Sequence, residues 1–283
     1  MNTMFWWVVL VTFIAGVGGT GLGGAVSAFI KRDSTKTVSL LLSFAGGVML
    51  AVVCFDLVLE ALKPPVNGEA VGLPVVLIGM IIGFAIVALL NYIIDQKTNP
   101  EIKHIDKNHP KTADDLDELY HSNHLKKHME ESSNLFVAGL IMAVAIALHN
   151  VPEGMVIGAM YVGVDPASLT SGSGFIMAVT IGLHNIPEGM SVAVPLIAGG
   201  MNRGKAVAIT ALSGFPTVLG AMLGYWAGSL GPVMNALALS FASGAMLYVV
   251  FGELLPESYL MWKSKAPALG IMGGLLLGML LIL

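Results

Sequence analysis

Charge is what this chain has least of. Of its 283 residues, 11% are Asp, Glu, Lys or Arg and 55% are apolar, whereas a soluble domain carries about 25% charged residues. That excludes an ordinary water-soluble protein and predicts an all-α polytopic membrane protein in the lipid bilayer, with no nucleic-acid partner. Cysteine is almost missing too. Cys54 stands alone, which rules out an intrachain disulfide and a cysteine metal cluster. A leader of the cleavable kind is not evident. The first apolar stretch, from about Met4 to Ile30, has its positive residues after it, at Lys31, Arg32 and Lys36, and a signal peptide has the reverse order. H-E-x-x-H is absent as well, so the commonest zinc-hydrolase string is not available.

What the chain has is glycine, 34 residues of it, as expected where helices pack closely in lipid. It also has long apolar runs. Eight are near the ~20 residues a bilayer needs: 4–30, 38–62, 74–95, 135–160, 173–197, 206–229, 234–258 and 267–283. We number them spans 1 to 8. The loops after spans 1, 3, 5 and 7 hold 13 of the 14 basic residues, and the other face holds only Lys63. Positive loops stay in the cytoplasm, so both termini are expected outside, in a cell (plasma or inner) membrane. The expected organisation is 1–95 (spans 1–3), 96–134 (a flexible cytoplasmic loop), 135–197 (spans 4–5) and 198–283 (spans 6–8).

Two strings are near-copies. Met142 to Met155 reads MAVAIALHNVPEGM and Met177 to Met190 reads MAVTIGLHNIPEGM, identical at 11 of 14 places with an offset of 35. Each places a His and a Glu four apart, His149 with Glu153 and His184 with Glu188. Residues at i and i+4 share a helix face. Ionisable groups inside a span are costly and mark function. Two imidazoles and two carboxylates suit Zn²⁺, Fe²⁺, Mn²⁺ or Co²⁺ better than a hard ion such as Ca²⁺. Pro152 and Pro187 lie between the ligands, so each helix is expected to bend there and free the carbonyl of Leu148 or Leu183.

A second repeat joins span 2 to span 7. Leu42 to Glu60 and Leu239 to Glu257 agree at 11 of 19 places, offset 197. Spans 2 and 7 run in opposite directions, as do 4 and 5. Both repeats therefore fit one twofold axis in the membrane plane, a 3+2+3 inverted repeat of the kind transporters use. The repeat carries Asp56 and Glu60 toward one mouth and Glu253 and Glu257 toward the other, where carboxylates can draw a cation in and let it out.

The loop from Gln96 to Asn134 holds His104, His109, His121, His124 and His128, with acids that include Asp114, Asp115, Asp117 and Glu118. A His-rich tract can hold metal loosely, and a solvated linker with freely titrating histidines is the alternative. Trp6, Trp7, Trp226 and Trp262 are expected in the interfacial belts. The glycines of span 1 read as a packing face, not a phosphate loop.

The doubled H-N-x-P-E-G on neighbouring spans, the His-bearing loop after span 3 and the LPE ending of span 7 resemble the ZIP metal-ion transporters, in particular their bacterial zinc-uptake branch. The resemblance runs over all eight spans. It implies divalent metal transport into the cytoplasm, a homodimer, and His149, Glu153, His184 and Glu188 as primary ligands. It places Asn150 and Asn185 where an adjoining second metal is held. It also implies that spans 1, 4, 5 and 6 move as a unit against 2, 3, 7 and 8. One departure stands out. Where related sequences have S-G-x-x-E in span 6, this chain has Ser213-Gly214-Phe215-Pro216-Thr217. A hydroxyl is a weaker ligand than a carboxylate, so a single primary metal is expected, with Ser213 and Thr217 as peripheral oxygens. Zn²⁺ is the expected cargo, with Cd²⁺, Fe²⁺ and Mn²⁺ compatible.

An empty site would leave two carboxylates buried without a partner, which is expensive, so proton uptake or hydration is expected when metal leaves. An intramembrane metalloenzyme is the rival reading, since zinc hydrolases also bury His and acid. It is disfavoured because every strong candidate here has a twin, which suits a pathway open to both sides. A sensor working through the His-rich loop lacks any signalling domain to follow it.

Overall fold

The computed structural model describes residues 3–29, 35–63, 71–98 and 132–282, and among these there are helices and short connections but no strand. Seven helical stretches are long and apolar enough to cross a bilayer: Thr3–Phe29, Ser39–Leu62, Leu73–Ile93, Met142–Met160, Pro166–Ala198, Arg203–Ser229 and Pro232–Leu260. An eighth, Ala266–Ile282, is apolar but shorter. They coincide with spans 1 to 8. His104, His109, His121, His124 and His128 lie outside the described residues.

Four spans are interrupted, and the interruptions have local causes. Spans 2 and 7 each contain one π turn, Val53–Leu57 and Val250–Leu254. These are 197 residues apart, the offset of the sequence repeat, and they carry Asp56 and Glu253. A π turn inserts one residue and re-aims the side chains around it, and such turns collect at functional sites. Span 1 has its own at Ile14–Gly18. Span 6 breaks between the helices Arg203–Ser213 and Pro216–Ser229, because Pro216 has no N–H to continue the ladder and suits a helix start. In contrast, the helices Ser132–Met160 and Ser173–Ala198 run through Pro152 and Pro187 without a break.

Glycine decides which spans pair. A Cβ on Gly154 would strike the Thr217 carbonyl, and one on Gly220 the Val151 carbonyl, so spans 4 and 6 meet backbone to backbone. Gly189 meets the Thr20 carbonyl and Gly23 that of Ile186, which joins spans 5 and 1 in the same manner. Spans 2 and 8 are joined at Gly47 and Gly274, and spans 3 and 7 at Gly83 and Gly244. Among the described residues, every such glycine-to-carbonyl approach stays within the set 1, 4, 5, 6 or within the set 2, 3, 7, 8. Small residues are how helices approach closely in lipid, where no hydrophobic force drives them together.

Side chains from the two sets pack together. One large buried cluster takes Val8, Ile157 and Ile181 from the first set and Met49, Leu57 and Met246 from the second. A smaller cluster, Ala143, Ile146, Val192, Leu196 and Ala206, sits at the opposite ends of spans 4, 5 and 6. Trp7 is half-buried and turned toward the protein. Its Nε1–H donates to the Tyr161 hydroxyl at 3.3 Å, and that hydroxyl donates to the Leu169 carbonyl at 3.1 Å. Burial of the ring and its hydroxyl pushes the Tyr161 phenol above its ordinary range. Trp6 and Trp226 are exposed, and the Trp262 ring lies beneath the Lys36 ammonium, 5.5 Å from it.

Candidate metal centre

The two near-copies place His149, Asn150, Glu153, His184, Asn185 and Glu188 at one depth, none of them more than 4% exposed. Three come together. One ligand atom each from Glu153, His184 and Glu188 lies within 4.8 Å of the other two. His184 Nε2 is 2.9 Å from Glu188 Oε1 and 3.4 Å from Glu153 Oε1. The spacing of four explains the first contact, and the packing of span 4 on span 5 explains the second.

Both Glu153 oxygens, Glu188 Oε2 and His184 Nδ1 are buried without a hydrogen-bond partner. Buried polar atoms are nearly always paired, and a carboxylate withdrawn from water without a partner is costly. A cation placed among these atoms would satisfy them. One imidazole and two carboxylates are a ligand set for a borderline divalent ion.

The fourth expected ligand is elsewhere. His149 Nε2 lies 2.6 Å from Glu253 Oε2, on the π turn of span 7. The twin histidines thus have different partners, one within its own pair of spans and one across the boundary between the two four-span sets.

The asparagines behave alike. Asn150 Nδ2–H donates to the Ser213 carbonyl at 3.0 Å, and Asn185 Nδ2–H donates to the Ala15 carbonyl at 3.1 Å. Both acceptors sit where the partner span departs from α-helix, at the break in span 6 and the π turn in span 1. Each Asn keeps a buried Oδ1 without a partner, as does the Thr217 hydroxyl. Ser213 Oγ is turned back onto the Thr210 carbonyl at 2.7 Å.

The remaining acids do not join the cluster. Asp56 is half-buried on its π turn. Glu60 pairs with Lys63, and its carboxylate holds the exposed Lys63 ammonium above the ordinary range. Glu257 lies in the helix Leu255–Met261, and its side chain is outside the described residues. Sequence reasoning placed Glu253 near a mouth and missed its contact with His149. The 197-residue offset pairs Glu253 with Asp56, but no periodicity reveals that span 7 faces span 4 at that depth.

Comparison with known proteins is consistent across the chain. The ZIP zinc transporter family model matches residues 3–283. A zinc transporter ZupT from Akkermansia muciniphila is 34% identical over 275 residues, covering 95% of this chain and 94% of that protein. One from Clostridium perfringens is 30% identical over 272 residues, covering 94% and 91%. One from Campylobacter jejuni is 33% identical over 291 residues, covering 94% and 92%.

Proposed function

This chain belongs to the ZIP family and is a divalent-metal transporter, not an enzyme, and on that premise we propose that its cargo is Zn²⁺, held by Glu153, His184 and Glu188 and completed by His149. The observation that carries the proposal is the buried cluster of three ligands, in which both Glu153 oxygens and Glu188 Oε2 lack a hydrogen-bond partner. The relatives' printed names, zinc transporter, support the choice of ion. The same donor set admits Cd²⁺, Fe²⁺ and Mn²⁺.

We further propose the 3+2+3 inverted repeat, with 1–95 and 198–283 as its flanking halves, 135–197 as the metal-site pair and 96–134 as the loop between. Three symmetric features support it. The π turns of spans 2 and 7 share the 197-residue offset. The close pairs 4 with 6 and 5 with 1 exchange under the axis, as do 2 with 8 and 7 with 3. Asn150 on Ser213 and Asn185 on Ala15 exchange as well. The orientation with both termini outside rests on the 13-to-1 distribution of basic residues, and the inward direction of transport is what membership of the family implies. The two glycine-packed sets, with a shared cluster of apolar side chains between them, suit two bodies that slide, spans 1, 4, 5 and 6 against the rest. Asn150, Asn185, Thr217 and Ser213 border the site and offer peripheral oxygens. Asp56, Glu60, Glu253 and Glu257 serve the two mouths, and His104, His109, His121, His124 and His128 receive metal on the cytoplasmic side. A homodimer is the expected assembly.

The test is uptake into proteoliposomes with a panel of divalent metals, internal pH recorded in parallel. Zn²⁺ is expected to accumulate, and Glu153→Ala or His184→Ala is expected to abolish accumulation while the protein still inserts. Wild-type uptake by both variants removes the site assignment.

A further inference from the structure

We propose that Glu253 is a positioning residue that keeps His149 off the Glu153–His184–Glu188 cluster until cargo arrives. The inference rests on the metal site proposed above and adds a competition to it: His149 reaches the metal only by leaving Glu253.

Four observations carry it. First, the 2.6 Å contact occupies His149 Nε2, while the other three ligands gather without it. Zn²⁺ favours four ligands in a tetrahedral arrangement, so the cluster is one short. Second, His149 sits on the same helix face as Glu153, four residues away. A turn of this side chain toward its own helix neighbour is the movement the proposal requires. Third, the pair is only half satisfied. His149 Nδ1 and Glu253 Oε1 are both buried without partners, so one contact holds the ring. Fourth, the twin of His149 is not held in this way. His184 stays with Glu153 and Glu188, although Asp56 occupies on span 2 the position of Glu253 on span 7.

The contact also joins the two four-span sets, because span 4 belongs to one and span 7 to the other. Occupying the metal site therefore removes a polar tie between them. A carboxylate that competes for a ligand lowers affinity for the cargo and speeds its release.

The experiment is Zn²⁺ and Cd²⁺ binding to the purified full-length protein by titration calorimetry, with proteoliposome uptake on the same variants. Glu253→Gln keeps the shape and removes the charge that strengthens the contact. It is expected to bind metal about tenfold more tightly, since a charge-assisted hydrogen bond is lost from the empty state, and to show a lower maximal uptake rate. In a His149→Ala background the gain is expected to vanish. Glu253→Asp, which keeps the charge and shortens the reach, is expected to move affinity in the same direction by less, and it serves if the Gln variant does not insert. Unchanged or weaker binding in Glu253→Gln and Glu253→Asp overturns the inference, and so does a gain that survives His149→Ala. Those results leave the metal site standing. Wild-type protein that binds no metal, or Glu153→Ala that binds as wild type, removes the site itself.

Discussion

His149 and His184 occupy the same place in two strings that agree at 11 of 14 positions, and their rings do different things. His184 lies 2.9 Å from the carboxylate on its own helix face. His149 turns from its own Glu153 to Glu253, 2.6 Å away on span 7. Helix periodicity sets depth and face for both. Where each ring goes is decided by what the neighbouring span presents. The asparagines beside them make the opposite case: both donate to a carbonyl at a helix interruption, and both are used identically. Symmetry is kept where the partner is backbone and broken where the partner is a titratable side chain.

The sharpest test of that contrast removes each imidazole in turn. His184→Ala is expected to weaken Zn²⁺ binding about 100-fold or more, beyond what loss of an outer-shell partner typically costs. His149→Ala is expected to weaken it about tenfold, because that ligand starts from a competing partner. Equal losses, measured by calorimetry, would erase the distinction drawn here.

A second test addresses the symmetric part. Gly154→Val and Gly189→Val each drive a side chain into a carbonyl, of Thr217 and Thr20, and each is expected to cost about 2–3 kcal/mol by overpacking. Gly18→Ala meets only the Ile14 methyl, 3.9 Å away, and is expected to change little. Thermal unfolding in detergent reads all three, and an inert Gly154→Val breaks the claimed backbone contact.

Acidity separates the histidines more gently. Metal binding requires neutral imidazoles and ionised carboxylates, so affinity is expected to fall as pH drops. The fall is expected to be shallower in His149→Ala, which has one fewer proton to displace. Identical pH profiles would take His149 out of the bound state. The smallest expected effect is on the outer tie. Trp7→Phe deletes the donor to Tyr161 and is expected to cost about 1 kcal/mol in stability, the size of one neutral hydrogen bond, with metal affinity unchanged.

Much of this was legible beforehand. The eight spans followed from apolar runs, since lipid tolerates little else. The pair His184 and Glu188 followed from a spacing of four, and the family resemblance from the doubled string. The π turns were not legible. Inserting one residue into a helix leaves no mark in periodicity, even though it re-aims Asp56 and Glu253. Trp7 was expected in the interfacial belt because its type is common there, and only the position of Tyr161 reveals the inward hydrogen bond.

By itself, then, the order of residues determined that this chain belongs in lipid, where its apolar helices run, and which paired His and Glu side chains share a helix face. Those properties depend on composition and on short, regular spacings along one chain. Tertiary structure decided that Glu153, His184 and Glu188 close into one cluster while His149 is held apart. Those contacts join residues distant in sequence, and their geometry depends on glycine-set backbone distances and on a helical register that local spacing does not encode.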